Sequence, residues 1–439
     1  MKARITVSIL LFFLTGPALM GQEYFQQEVN YNIQVTLNDQ DHYLRGFEKI
    51  QYTNHAPEAL EVIHFHLWPN AYKNNQTTLA RELFRQKGRH YLFKMSRQKG
   101  FIDSLNFKVN GDEVNWHHHP DHIDICTVEL NEPLESGETI EITTPFRVKI
   151  PLGVTSRLGH MGQSYKITQW HPKPAVYDHR GWHAMPYRNM GEFYSEYGDY
   201  EVSITLPDNY VVAATGDLKT REEQRWLAEK AVQTKGQFSF DKTDMDIPAS
   251  SQQDKTIRYT IENTHDFAWF ADKRYHVMRD SVKLPGSGRQ VTTWAFFTND
   301  QAELWRNATG YINDAITRYS RWYGDYAYDN CTAILGAAGS RGNGMEYPTI
   351  TAIGHQQSPK MLEQVIMHEV GHNWFYGMLG FNERRYPFLD EGINTFSEIR
   401  YMENKYPDLK LYQMFGMPEG LAKLSGIEHM HHLQQHELM

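Results

Sequence analysis

The chain has 439 residues and a formal charge of −9, from 44 Lys and Arg against 53 Asp and Glu. That charge is modest and dispersed, which excludes a nucleic-acid surface and any strongly charged partner, while the length suffices for two or three domains with substantial cores. Only two cysteines occur, Cys126 and Cys331; they lack metal-ligand spacing and are expected as two separately buried thiols, with one export-compatible disulfide as the alternative.

Lys2 and Arg4 precede an apolar run from Ile5 to Leu14, and Gly16, Pro17 and Ala18 lead to a cleavage point near Gly21. This is the anatomy of a signal peptide over 1–21, too short to span a bilayer, so the chain is expected to be exported to the periplasm or beyond. No other long apolar stretch follows, and no stable membrane insertion is expected. From 22 to 277 the pattern is β. Val29, Tyr31, Ile33, Val35 and Leu37 alternate with polar residues, as do Tyr200, Val202, Ile204 and Leu206, and Ile257, Tyr259 and Ile261. Such period-two segments, uninterrupted by a long helical pattern, predict an antiparallel β domain with one face of each sheet buried. His64 and His66 fall on the polar side of one alternation and are expected to be wet. His117, His118, His119 and His122 surround Pro120 and Asp121 and read as a hairpin loop rather than a metal site.

After Pro285-Gly286-Ser287-Gly288 the period changes to that of a helix. Leu304, Ala308, Ile312, Ile316 and Tyr319 form a stripe, with Thr298 and Gln301 placed as a capping box and Gly324 as a stop. Cys331–Leu335 reads as a buried strand, Gly339–Gly344 as a glycine-rich loop that lets backbone approach a ligand, and Thr349–Ile353 as an edge strand. A further helix then starts at Ser358, a capping residue, with Pro359 in its first position and Leu362, Ile366, Val370 and Trp374 on one side. It carries His368-Glu369-Val370-Gly371-His372. Two imidazoles four residues apart share a helix face and can grip one ion. Glu391, nineteen positions after His372, stands at the start of the next helix, which Asp390 would cap and which ends before Pro407. Two histidines, a carboxylate and an open position describe a catalytic zinc site, with Glu369 as general base. Glu398 shares the face of Glu391 and is expected either to orient a ligand histidine from behind or to face solvent. His429, His432 and His436 read as a solvated helix face.

The combination of HEVGHNWF, the eighteen-residue spacer, Asp390-Glu391-Gly392 and the upstream Gly344-Met345-Glu346-Tyr347 resembles the aminopeptidase N family of gluzincin metallopeptidases, which includes the leukotriene hydrolases. The resemblance implies a saddle-shaped β domain followed by a thermolysin-like α+β catalytic domain over 278–439. It also implies one zinc ion held by His368, His372 and Glu391. Gly344, Met345 and Glu346 match the family's exopeptidase signature, which lies along the substrate backbone; Glu346 would hold the free amino terminus, and Tyr347 stands where most members have asparagine. In Thr168-Gln169-Trp170-His171, Gln169 matches a residue that reaches the active site, whereas His171 replaces a glutamate. The family's oxyanion-stabilising tyrosine lies further from the ligand glutamate than Tyr401, Tyr406 or Tyr412, so the catalytic domain is expected to be incomplete at its C-terminal end, leaving Trp374 and Phe375 poorly packed. The function expected is removal of N-terminal residues from peptides with a free amine. The alternatives are an endopeptidase or epoxide hydrolase on the same scaffold, or an inactive interaction module.

Overall fold

The computed structural model describes residues 24–88, 93, 95–153, 156–336 and 344–408. The signal-peptide segment, most of the glycine-rich loop, Tyr412 and the C-terminal histidines lie outside the described residues.

The alternating segment at the start forms the strand Glu28–Asn38, whose five predicted apolar residues are all buried. It lies inside a nine-stranded sheet, between Tyr43–Thr53 and Gly198–Pro207. The pairing with Tyr43–Thr53 is antiparallel, but that with Gly198–Pro207 is parallel, from Tyr31 opposite Tyr200 to Thr36 opposite Thr205. The expectation of purely antiparallel sheets is corrected here. Some 160 residues separate these two strands, an arc long enough to bring the chain back in the same direction. Two four-stranded sheets and a two-stranded ribbon draw on that arc, with Val211–Ala214 and Trp269–Asp272 joining one of them from beyond it. Tyr31, Ile63, Phe65, Trp170, Tyr200 and Trp269 belong to one continuous core.

Two helices interrupt this region, against expectation. Helix α1, Thr78–Lys87, is capped by Thr77, whose side chain accepts from the Ala80 N–H at 3.2 Å. Helix α2, Arg221–Gly236, buries Glu223, Leu227, Ala231 and Thr234. Half of that stripe is polar, so an apolar periodicity does not reveal it. His66 also departs from its expected place. It is buried, stacked 4.6 Å from Trp68, and its Nε2 accepts from the Met185 N–H at 3.0 Å. His64 on the same side is half-buried, and only the His66 end is dry, because Lys173–Pro174 pairs beside it and the chain near Met185 covers it.

The fifth sheet runs, in spatial order, His276–Lys283, Gln290–Phe297, Asn330–Leu335, Ile350–Ile353 and Gly344–Tyr347. Its edge is therefore Gly344–Tyr347; Ile350–Ile353, expected at the edge, is fully buried between two neighbours. Helices α3 (Ala302–Trp305), α4 (Ala308–Tyr323), α5 (Pro359–Gly371) and α6 (Ile393–Lys405) cover one side. The capping box does not form: Thr298 Oγ1 donates to Asp300 and Gln301 Oε1 accepts from the Gln356 N–H. Gly324 does stop α4, at φ 102°. Ile312, Ile316, Tyr319, Leu362, Ile366, Val370, Trp374 and Phe375 pack into one core, so Trp374 and Phe375 are well buried after all. Tyr319 stacks on Trp374, whose Nε1 donates to Gly324 O. Cys126 and Cys331 are free thiols in separate cores.

Candidate metal centre and substrate cleft

Ser358 starts α5 as the sequence requires: its Oγ accepts from the Met361 N–H at 3.2 Å, with Pro359 in the first position. The helix runs to Gly371 and ends at His372, beyond which the chain turns sharply through Phe375 and Tyr376, the latter at φ 117°. Both histidines thus sit at a helix C-terminus, where the partial negative charge of unpaired carbonyls favours a cation. Their Nε2 atoms are 3.2 Å apart, and Glu391 Oε2 lies 3.4 Å from His368 Nε2. Ligand atoms of His368, His372 and Glu391 all fall within 4.8 Å of one another, close enough to share one ion. The donor set, two nitrogens and one carboxylate, suits zinc.

Glu391 arrives from a turn, Phe388–Gly392, just before α6 rather than from that helix's first turn. Asp390 does not cap α6. Its carboxylate is buried and stands 2.5 Å from His372 Nδ1, while Glu398 Oε2 stands 2.9 Å from His368 Nδ1. Each histidine thus has its outward nitrogen fixed by an acid, which sets the tautomer that leaves Nε2 for the metal. Burial acts to lower the His368 pKa, but its contacts with Glu391 and Glu398 raise it well above the ordinary value. The backbone is held as firmly: Asn394 Nδ2 donates to His368 O at 2.7 Å while its Oδ1 accepts from the Tyr319 hydroxyl at 2.6 Å. Sequence reasoning placed Glu398 behind a histidine and missed Asp390, for which adjacency to Glu391 was the only clue.

Glu369 is buried on the side of α5 that meets the edge strand. A Cβ on Gly344 would lie 2.1 Å from Glu369 Oε1, so glycine there is a requirement of close approach. Burial pushes the Glu369 carboxyl up to about 7, against the pull of His368 and His372. Glu346, two residues along the strand, is also buried; its Oε1 has no hydrogen-bond partner among the described residues. Burial and then the charges of Glu192, Asp390, Glu369 and Glu391 raise its pKa well above the carboxylate range.

Glu192 is the residue the sequence did not disclose. It comes from the loop before Gly198–Pro207 and receives both hydrogen bonds of Arg157 Nη2, at 2.6 and 2.9 Å. Arg157 Nε in turn donates to the Met345 thioether, which ties this pair to the edge strand. Gln169 does not join the cluster by any hydrogen bond or ion pair among the described residues. It is buried at φ 49° and donates to Asp266 Oδ2 at 3.0 Å. His171 contacts Glu48 at 3.0 Å, inside the β-rich core. Tyr401 and Tyr406 both direct their hydroxyls to Glu363. No metal-sized ligand group forms at His117–His122 among the described residues.

This architecture is the fold of the M1 zinc metallopeptidases. A point-mutant form of the M1 zinc metallopeptidase of Deinococcus radiodurans superposes with a TM-score of 0.56 at 16% identity, covering 87% of this chain and 72% of that one. The same enzyme without the mutation gives 0.55 at 15%, covering 87% and 71%. A two-domain M1 zinc metallopeptidase mutant bound to L-arginine gives 0.55 at 16%, covering 87% and 72%. No family model and no curated protein matches the sequence.

Proposed function

We propose that this chain is a zinc-dependent aminopeptidase that removes the first residue from peptides with a free amine. The observation that carries the reading is the buried, unpartnered Glu346 Oε1 on a sheet edge beside three ligand atoms within 4.8 Å. An unpaired buried carboxylate is costly, and a substrate ammonium would satisfy it by a charge-assisted hydrogen bond. Glu192, within the same electrostatic cluster, adds a second acid there, which offsets the missing glutamate at His171.

His368, His372 and Glu391 would hold the ion, with Asp390 and Glu398 fixing the two imidazoles. Zinc in such a set acidifies water and polarises a carbonyl. The free edge of Gly344–Tyr347 offers backbone groups to an extended peptide, which sets its direction and register. Glu346 and Glu192 fix the amine end. Glu369 then takes a proton from the attacking water at its carboxylate and returns it to the leaving amine; its burial brings it near the pKa at which both transfers are feasible. In this reading residues 22–277 and 278–439 are the β and catalytic domains, and residues 1–21 a signal peptide that delivers the enzyme outside the cytoplasm. Among the described residues no helix is long and apolar enough to cross a membrane.

Glu369→Gln is expected to retain stoichiometric zinc and lose hydrolysis, and His372→Ala to lose the metal. Unchanged peptide turnover by Glu369→Gln would sink the mechanism. Comparing one peptide with its N-acetylated form tests the exopeptidase claim: equal cleavage of both would turn the reading to an endopeptidase.

A further inference from the structure

One cation in the cleft has no task in that mechanism. Lys166 lies on the strand Ser164–Ile167, where Tyr165 and Ile167 point into the β-rich core and Lys166 takes the opposite face. That face is turned towards the edge strand. Phe270, directly opposite Lys166 on one neighbouring strand, packs in a cluster with Met345 and Tyr347, its ring centroid 6.2 Å from that of Tyr347. On the other side the partner of Lys166 is Gly159, which has no side chain to cover it, and two residues before Gly159 stands Arg157, bonded to Met345. Lys166 therefore sits between two side chains that both reach Gly344–Tyr347.

Among the described residues its ammonium has no hydrogen bond and no ion pair, although it feels the charges of Arg157, Glu369, Glu346 and Glu192. Burial, and next the like charge of Arg157, lower its pKa to about 8, so it is still mostly charged at neutral pH. Lys166 is half-buried, and a partly desolvated cation without an oxygen partner beside a second cation gains from an anion placed against it. The strand register sets the position: Lys166 shares a face with Phe270, which packs with Met345 and Tyr347, so it faces the edge strand along which the first residue of a peptide would lie.

We infer that Lys166 receives a carboxylate of the substrate and makes this enzyme selective for peptides whose first residue is Asp or Glu. The inference rests on the aminopeptidase reading. A Lys–carboxylate contact in a partly dry cleft is expected to favour Glu over Gln as first residue by roughly 10- to 100-fold in kcat/KM.

The test uses the full chain loaded with zinc, and its Lys166→Met and Lys166→Arg variants. Glu-Ala-Ala-amide is compared with Gln-Ala-Ala-amide, and the dipeptide Ala-Ala with its C-terminal amide. Wild type should prefer the acidic first residue, Lys166→Met should bring that ratio near one, and Lys166→Arg should keep part of it. If the ratio that collapses is instead that of Ala-Ala over its amide, the carboxylate received is the C-terminus of a dipeptide, and the assignment to an acidic first residue is overturned. Calorimetric titration with free glutamate and glutamine needs no turnover. Glutamate binding more tightly to wild type but not to Lys166→Met would support Lys166 even if no peptide were cleaved, a result that would remove the aminopeptidase reading alone. Glu-to-Gln ratios that are the same in wild type and Lys166→Met, in both kinetics and binding, would overturn the inference.

Discussion

Two glycines at the centre can be told apart by what they exclude. At Gly371 a Cβ would meet Asn394 Oδ1 at 2.0 Å and the Tyr319 hydroxyl at 2.2 Å, both committed to hydrogen bonds within the packed helices. Gly371→Ala should therefore cost about 3 kcal/mol and weaken zinc binding with it, as read by denaturant unfolding and metal titration. At Gly344 the colliding group is the Glu369 carboxylate itself. Gly344→Ala is expected to keep zinc and most of the stability while losing activity, because only the base is displaced. Equal loss of zinc in both variants would contradict this division.

At the scale of elements, α5 was the most legible part of the chain because its signals are local: a capping serine, a proline in the first position and two histidines four apart. The acids behind the histidines depend instead on how α6 and the turn before it pack against α5. Asp390 has the residue type and position of a cap, yet the chain enters α6 through the turn Phe388–Gly392, and the carboxylate goes to His372. Glu192 carried no signal at all, since its partner Arg157 and its neighbour Glu346 meet it only in three dimensions. Helix α2 was hidden for another reason: it covers its neighbours with a stripe that is half polar. If the two acids act as their contacts indicate, Asp390→Asn and Glu398→Gln should each lower zinc affinity by about 10- to 100-fold without removing the site. Competition with a chromophoric chelator measures this, and affinity within twofold of wild type would refute it.

Over the whole molecule, burial of unprotonated imidazoles sets a dependence of stability on acid. Burial, followed by the charges of Arg384 and Lys173, lowers His66 to about 3, below its ordinary value of 6.5. A depressed folded-state pKa means the unfolded chain takes the proton first, so this contribution is fully present above pH 6.5 and is lost as pH falls towards 3. Between pH 7 and pH 5 the loss should be about 2 kcal/mol. Gln can accept the same Met185 N–H, so His66→Gln should lack this part of the slope; parallel stability curves for variant and wild type over that interval would refute the assignment. The same long-range packing joins the two halves, where the Tyr197 hydroxyl meets the carbonyls of Tyr376 and Gly377 at 2.9 and 3.0 Å and Arg384 reaches Pro186 and Glu192.

The origin of Glu192 and Arg157 has a consequence for how such a molecule can change. Every group that would grip the ion or move a proton comes from the stretch between His368 and Glu398, whereas Glu192, Arg157 and Lys166 come from the β-rich half of the chain. In the proposed reading hydrolytic power is written in one part of the gene and much of the discrimination between substrates, Glu346 apart, in another. A lineage could redraft the list of peptides it accepts by altering one hairpin and one loop, leaving the reaction centre untouched.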